Sequence, residues 1–175
     1  MEKFSVLMSV YCKEKPEYFD LSLGSNLIKQ TLRPNEFVLV CDGELTPELE
    51  AVIDKYQKLC LDVLKVYRKE NVGLGRALNF GLPKCSYSLV ARADSDDICA
   101  PDRFEKQVRY FEEHPEVGII SSYIDEFNED WKKPTHLKTL PLTHDELYEM
   151  AKFRNPLNHM SVSDTHLTLP TNREV

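Results

Sequence analysis

The chain alternates short runs of apolar residues with segments in which apolar residues recur at helical spacing. Five runs rich in β-branched and aromatic residues predict buried strands, over residues 4–11, 37–41, 62–67, 87–93 and 117–124. Periodicity and helix-starting residues predict helices over residues 17–32, 47–59, 101–113 and 144–153. Because strands and helices alternate through residue 124, we expect an α/β fold with a mostly parallel sheet and helices on both faces.

The composition predicts one globular domain, since 42% of the 175 residues are hydrophobic and 29% are charged. The formal net charge is −7, and the lysines and arginines form no basic stripe. These features argue against nucleic acid as a partner. An acidic chain needs a metal or a few placed basic side chains to bind an anionic ligand.

Cysteine use and the first apolar run both bear on the cell compartment. The five cysteines are widely spaced, with no Cys-x-x-Cys pair and no Cys/His set at zinc spacing, which favours a reducing environment. The N-terminal run FSVLMSVYC is too short to span a membrane and is followed by charged residues. We therefore expect a cytoplasmic protein without a transmembrane segment.

Polar residues follow three of the predicted strands at the point where each strand ends. Tyr11 and Cys12 follow the first strand, Asp42 follows the second, and the cluster at 94–97 follows the fourth. In open α/β sheets, ligands bind at the carboxyl ends of the strands. We expect these residues to share one binding edge.

The aspartate cluster has two possible interpretations. A calcium loop is excluded, because Ile98 stands at its fifth position and Cys99 where glycine is required. Asp94 and Asp96 are one residue apart and point the same way from a strand end, as in a site where carboxylates and substrate phosphates share a divalent cation. Alternatively, Asp96 or Asp97 caps the next helix; the buried strand before the cluster and Asp42 nearby favour the cation.

The glycines of residues 71–81 do not form a dinucleotide fingerprint, because Leu78 stands where the third glycine would be required. A phosphate-binding P-loop is also excluded, since no Gly-Lys-Ser/Thr sequence occurs. Gly73 and Gly75 then serve either a tight turn into a helix or direct contact with phosphate. The sequence leaves both possibilities open.

Six segments of the chain together resemble family 2 glycosyltransferases of the GT-A fold, and they run in order over residues 4–162. They are SVLMSVY, EFVLVCDG, NVGLGRALNFG, ARADSDDICAPDRFEKQ, HPEVGIISSY and FRNPLNHMSV. The resemblance is greatest to bacterial enzymes of exopolysaccharide and O-antigen synthesis, of the amylovoran-synthesis type. It implies a GT-A domain, Rossmann-like in its sheet, over residues 1–162.

The resemblance assigns residues to the nucleotide of a sugar donor. The residues that would line the base are Ser9, Val10 and Tyr11. Asp42 would bond the uracil or ribose. The residues that would close over the nucleotide are Asn71, Gly73 and Arg76.

The resemblance also assigns the aspartate cluster. Asp94 and Asp96 would form the family's Asp-x-Asp motif and hold Mn²⁺ or Mg²⁺ against the diphosphate, with Asp96 the more direct ligand. Arg92 would contribute to substrate binding. Arg92 and Asp97 would also support the metal ligands without binding the metal directly. His159 would approach the phosphate or the acceptor.

The implied reaction is transfer of a sugar from a nucleotide diphosphate donor, a UDP-sugar, to a saccharide or lipid-linked acceptor in polysaccharide synthesis. The family context implies inversion and peripheral association with the inner face of the membrane. Inversion requires a general base. Asp145 and Glu146 are better explained by helix capping, so no base is assigned, and we expect donor binding with little or no transfer.

Two other functions stay open from the sequence. One is a nucleotidyltransferase, although residues 12–15 after the first strand lack the glycine-rich loop typical of that class. The other is a non-catalytic module that binds a nucleotide sugar. Donor binding without turnover that persists after the C-terminal tail is replaced by native sequence would favour the module.

The last residues, SDTHLTLPTNREV, show no usable periodicity. We expect residues 163–175 to be a non-native tail and the GT-A domain to be incomplete at its C-terminal end. Sequencing the source DNA tests this expectation. A continuous reading frame homologous to relatives through the tail would contradict it.

Overall fold

The computed structural model describes residues 1–128 and 130–165. Eight strands lie in these residues: β1 (Phe4–Val10), β2 (Glu36–Asp42), β3 (Leu64–Lys69), β4 (Leu89–Asp94), β5 (Ile119–Ile120), β6 (Ile124–Glu126), β7 (His136–Lys138) and β8 (Ser163–Asp164). Six of them form one sheet in the order β3-β2-β1-β4-β8-β5, and β6 and β7 form a separate hairpin. The first four strands are mutually parallel.

Five α-helices connect or follow the strands: α1 (Pro16–Leu27), α2 (Pro47–Leu59), α3 (Leu74–Gly81), α4 (Arg103–Glu113) and α5 (His144–Ala151). Apolar residues of α1, α2 and α4 pack on one face of the sheet. Apolar residues of α3 pack on the other. The predicted α/β fold with helices on both faces is confirmed.

The region after α4 differs from the prediction of one strand over residues 117–124. The structure places only Ile119–Ile120 in the main sheet. Ser121 and Ser122 instead bond the segment before β8: Ser121 Oγ accepts from the Asn158 N–H at 3.0 Å, and the Ser122 N–H donates to Ser161 Oγ at 2.9 Å. These bonds draw the chain out of the sheet, so the predicted strand ends early.

The antiparallel strand β8 was not predicted. It pairs with both β4 and β5, and its two residues, Ser163 and Asp164, are buried. They fall inside the segment expected to be a tail, and residues 166–175 of that segment lie outside the described residues. The position of the domain boundary therefore stays a prediction.

Two neighbouring interior strands, β1 and β2, are buried at every position. On the α3 side, the helix sits directly on the sheet at Gly81. A Cβ there would come within 2.6 Å of Leu7 Cδ1 and 2.7 Å of Val40 Cγ2. Only glycine allows this close approach with the two core side chains as they lie.

Glu36 is a buried carboxylate at the start of β2, at the sheet edge opposite to Asp42. It accepts hydrogen bonds from Ser5 Oγ at 2.6 Å, from the Ser86 N–H at 2.6 Å and from Ser86 Oγ at 2.7 Å. Lys65 Nζ lies 2.5 Å from Oε1. Burial alone would raise the pKa of Glu36, but the bonds from Lys65, Ser5 and Ser86 together lower it to about 2.

No helix in the described parts of the chain is both long and apolar enough to cross a membrane.

We expect Glu36→Gln to remove a pH-dependent part of the stability. The Glu36 pKa falls from 4.5 to about 2 on folding, so its contribution, roughly 3 kcal/mol, is present above pH ~4.5 and lost as the pH falls toward 2. Urea unfolding between pH 6 and pH 3 should show the wild type converging on the variant. Glu50→Gln, at a surface pair with Arg68, is the control, and a gap independent of pH would contradict the expectation.

Candidate functional site

The carboxyl ends of β1, β2 and β4 bring polar residues to one edge of the sheet, as the sequence predicted. Ser9 lies opposite Asp94 in the β1–β4 register, and Asp42 is the last residue of β2. Because side chains alternate along a strand, Val10 points to the other face, where it packs in the core. Val10 can therefore offer only its main chain to a ligand at this edge, whereas the Tyr11 side chain is exposed there.

Asp42 anchors the loop that precedes α3. Its Oδ1 accepts from the Val72 N–H at 3.0 Å and its Oδ2 accepts from the Gly73 N–H at 2.9 Å. Its main-chain carbonyl accepts from Asn71 Nδ2 at 3.1 Å, and Lys69 Nζ lies 3.7 Å from Oδ1. Asp42 thus places the predicted nucleotide residues Asn71 and Gly73 beside the β2 end, and its own contact with uracil or ribose stays a prediction.

The loop enters α3 through a backbone conformation that favours glycine. Gly73 has φ 89° and immediately precedes the helix. Its carbonyl accepts from the Ala77 N–H at 3.0 Å. Arg76, in the first turn of α3, is exposed, and its predicted contact with the nucleotide stays a prediction.

Helix α1 fixes both ends of the aspartate cluster. Ser22 Oγ donates to the main-chain carbonyl of Asp94 at 2.7 Å. Ser25 Oγ accepts from the Cys99 N–H at 2.9 Å. The loop from Asp94 to Cys99 is therefore held by its main chain, and the carboxylates of Asp96 and Asp97 remain available to a ligand.

The cluster carries more negative charge than nearby cations balance. Asp96 is exposed and Asp97 half-buried, and burial followed by the charges of Asp94 and Asp96 raises the pKa of Asp97 to about 6. A fourth carboxylate, Glu14 of the β1–α1 loop, accepts from Ser95 Oγ at 2.7 Å. Crowded carboxylates of this kind are stabilised by a cation.

The residues fit a divalent cation of the predicted kind. The described residues contain no group of three or more His, Cys, Asp or Glu side chains arranged to hold a metal by themselves. Mg²⁺ and Mn²⁺ at nucleotide sites are bound by one or two carboxylates and by substrate phosphates. Asp94 and Asp96 supply such an incomplete oxygen set.

Arg92 brings two other predicted residues together. Its Nη2 lies 2.5 Å from Asp94 Oδ1, and its Nη1 donates to the main-chain carbonyl of His159 at 3.1 Å. The pKa of His159 is lowered, by desolvation first and then by the positive charge of Arg92. The structure therefore places His159 at the aspartate edge.

Two buried polar side chains of α4 hold the His159 segment in place. Arg103 Nη2 donates to the carbonyls of Arg92 at 2.8 Å and Val162 at 3.2 Å. Gln107 Nε2 donates to the Ser161 carbonyl at 2.8 Å. The segment before β8 is thus tied to β4 and α4.

Glu14, Arg103 and Gln107 were not singled out in the sequence, although Glu14 and Gln107 each carried a signal. Glu14 lies in the loop after β1, where a ligand edge was already expected. Gln107 stands in the apolar stripe of α4 together with Phe104 and Phe111. A polar residue within such a stripe indicates a buried hydrogen-bonded partner.

Comparison with known proteins gives one family. The model described as "Glycosyl transferase family 2" matches residues 5–169. The amylovoran biosynthesis glycosyltransferase AmsE of Erwinia amylovora is 47% identical over 159 residues, covering 91% of this chain and 58% of that protein. The UDP-Gal:alpha-D-GlcNAc-diphosphoundecaprenol beta-1,3-galactosyltransferase of Escherichia coli is 38% identical, covering 92% of this chain and 58% of that protein.

A solved structure shares the fold. S. aureus TarS, residues 1–349, in complex with UDP-GlcNAc, is 27% identical with a TM-score of 0.61, covering 73% of this chain and 36% of that one. The fold is the GT-A fold. The chain spans about 58% of the length of the two curated relatives.

We expect Asp42→Ala to loosen the loop before α3. Two N–H groups lose a charged acceptor, which costs about 2–3 kcal/mol. Hydrogen exchange of the Val72 and Gly73 amides should quicken, and urea unfolding should show the lost stability. Asp62→Ala, at an exposed turn, is the control. Unchanged exchange at both amides would show that Asp42 does not anchor the loop.

Proposed function

Because the chain belongs to glycosyl transferase family 2, we propose that the edge formed by Ser9, Asp42 and Asp94 binds a UDP-sugar. The observation that carries the proposal is the meeting of three strand ends beside the carboxylates of Asp96 and Asp97, which form no ion pair among the described residues. Asp94 and Asp96 hold Mn²⁺ or Mg²⁺, which binds the donor diphosphate. UDP is the proposed nucleotide because it occurs in the names of one relative and one structural neighbour.

The chain's own residues bind and orient the donor. Tyr11 is exposed next to the β1 end, where an aromatic ring can stack on a base. The Asp42-anchored loop covers the nucleotide from the α3 side. A divalent cation at Asp94 and Asp96 stabilises the negative charge that develops on the leaving diphosphate.

The reaction that we propose for the protein is transfer of the sugar, with inversion, to a saccharide or lipid-linked acceptor in polysaccharide synthesis. The relatives' names support this class, since one acts in amylovoran biosynthesis and the other on a diphosphoundecaprenol-linked sugar. The segment of His159 adjoins the aspartate edge, on the side where an acceptor or phosphate would approach. No general base is assigned.

A non-catalytic donor-binding module is the second candidate. It is favoured because none of the described residues is assigned as the general base that inversion requires. The family match argues against a nucleotidyltransferase. A transfer assay separates the two candidates, because the module binds the donor without releasing UDP in the presence of an acceptor.

Titration calorimetry with UDP, with and without Mn²⁺, tests the binding site. We expect Mn²⁺ to tighten UDP binding at least about tenfold, and Asp96→Asn to remove that gain, because the carboxylate and the diphosphate share the cation. UMP, which lacks the second phosphate, should gain less from Mn²⁺.

Asp102→Asn is the matched control, since Asp102 lies outside the cluster and pairs with Lys106 at the surface. It should bind UDP like the wild type. Equal UDP affinity of the wild type and Asp96→Asn in saturating Mn²⁺ would rule out the proposed site.

A further inference from the structure

Arg92 is a positive charge enclosed in the protein beside the proposed donor site. It lies in β4 opposite Leu7 of β1, on the face that α3 covers, and its side chain is only 3% exposed. A guanidinium cannot lose its proton under ordinary conditions. Arg92 therefore needs a negative partner within the structure at all times.

The hydrogen bonds of Arg92 are incomplete. Nη1 donates to the His159 carbonyl at 3.1 Å. Nη2 lies 2.5 Å from Asp94 Oδ1 as an ion pair without the alignment of a hydrogen bond, and Nε is buried without a hydrogen-bond partner among the described residues. Buried donors are costly when they are left unsatisfied, and the unused donors lie next to the carboxylate proposed to face the diphosphate.

Arg92 and the proposed divalent cation consequently compete for the carboxylate of Asp94. This carboxylate is the close partner of Arg92 and also a proposed ligand of the divalent cation. A cation that draws on this carboxylate weakens the charge compensation of Arg92 and repels the guanidinium. A buried charge that loses its partner is strongly destabilising, so the cation alone should bind poorly.

A diphosphate resolves the conflict, because it brings negative charge and acceptor oxygens to both cations at once. Arginine is suited to this role, since its planar fork donates to phosphate oxygens. Asp94 can then serve the cation while Arg92 turns its unused donors to the anion.

We infer that Arg92 makes binding of the cation and of the diphosphate interdependent: it opposes the cation when the anion is absent and binds the anion when both are present. The inference rests on the proposed function and adds a coupling device to it. Two ligands coupled in this way affect each other's affinity by the same factor.

The two affinities should move in opposite directions in Arg92→Met. Mn²⁺ alone is measured by the electron paramagnetic resonance signal of the free ion, and UDP in saturating Mn²⁺ by calorimetry. Removing the competing charge should tighten Mn²⁺ binding about fivefold or more, whereas loss of the anion contact should weaken UDP binding about tenfold or more. Arg109→Met, at a surface pair with Glu105, is the control and should change neither affinity.

Arg92→Lys separates charge from hydrogen-bonding shape and serves if Arg92→Met does not fold, which circular dichroism will show. Lysine keeps the charge, so Mn²⁺ alone should bind as in the wild type, while UDP should bind more weakly for lack of the fork. Weaker or unchanged Mn²⁺ binding in a folded Arg92→Met, or unchanged UDP binding in either variant, would overturn the inference. A wild type that binds no UDP in Mn²⁺ would overturn the proposed function itself.

Discussion

The fold depends on the burial of β1 on both faces between two parallel neighbours. Every position of this strand is buried, so its main-chain groups must find their partners in β2 and β4. Parallel pairing aligns the ends of the three strands. The residues that follow these ends have no further strand to join, and the polar side chains at this edge are the consequence of that arrangement.

The regular part of the fold was predictable because each element carried its own periodic signal. Residues 37–41 are a continuous apolar run, residues 4–10 are apolar apart from two serines, and both form buried strands of the parallel sheet. The end of the sheet was not predictable in this way. Strand β8 has only two residues, and its place depends on bonds to Gln107 and β4, which are distant in sequence.

The site was predictable in its location but not in its internal contacts. The positions of Asp42 and the aspartate cluster after apolar runs were enough to bring them to one edge. Both carboxylate oxygens of Asp42 accept hydrogen bonds from backbone N–H groups. An Asp-Gly pair in the sequence does not predict these bonds. The proposed opposition of Arg92 and a cation at Asp94 likewise rests on burial and distance, which the sequence does not give.

The two edges of the sheet differ in how far the negative charge of their carboxylates is compensated. At the β2 start, Glu36 is surrounded by donors and its charge is held inside the protein. At the opposite edge, the carboxylates of residues 94–97 repel one another and burial raises the pKa of Asp97. The charge of Glu36 is compensated without a ligand, whereas a cationic ligand would stabilise the carboxylates of residues 94–97.

The segment before β8 is held partly through main-chain carbonyls and partly through the side chains of Asn158 and Ser161, and this decides which of its positions can vary. Arg92, Arg103 and Gln107 donate to the carbonyls of His159, Val162 and Ser161. Every amino acid presents such a carbonyl, so these three bonds do not depend on the side chains at positions 159, 161 and 162, whereas the bonds made by the Asn158 and Ser161 side chains do. The exposed side chain at position 159 can therefore be varied while the segment keeps its place, whereas Val162 is buried and constrained by packing.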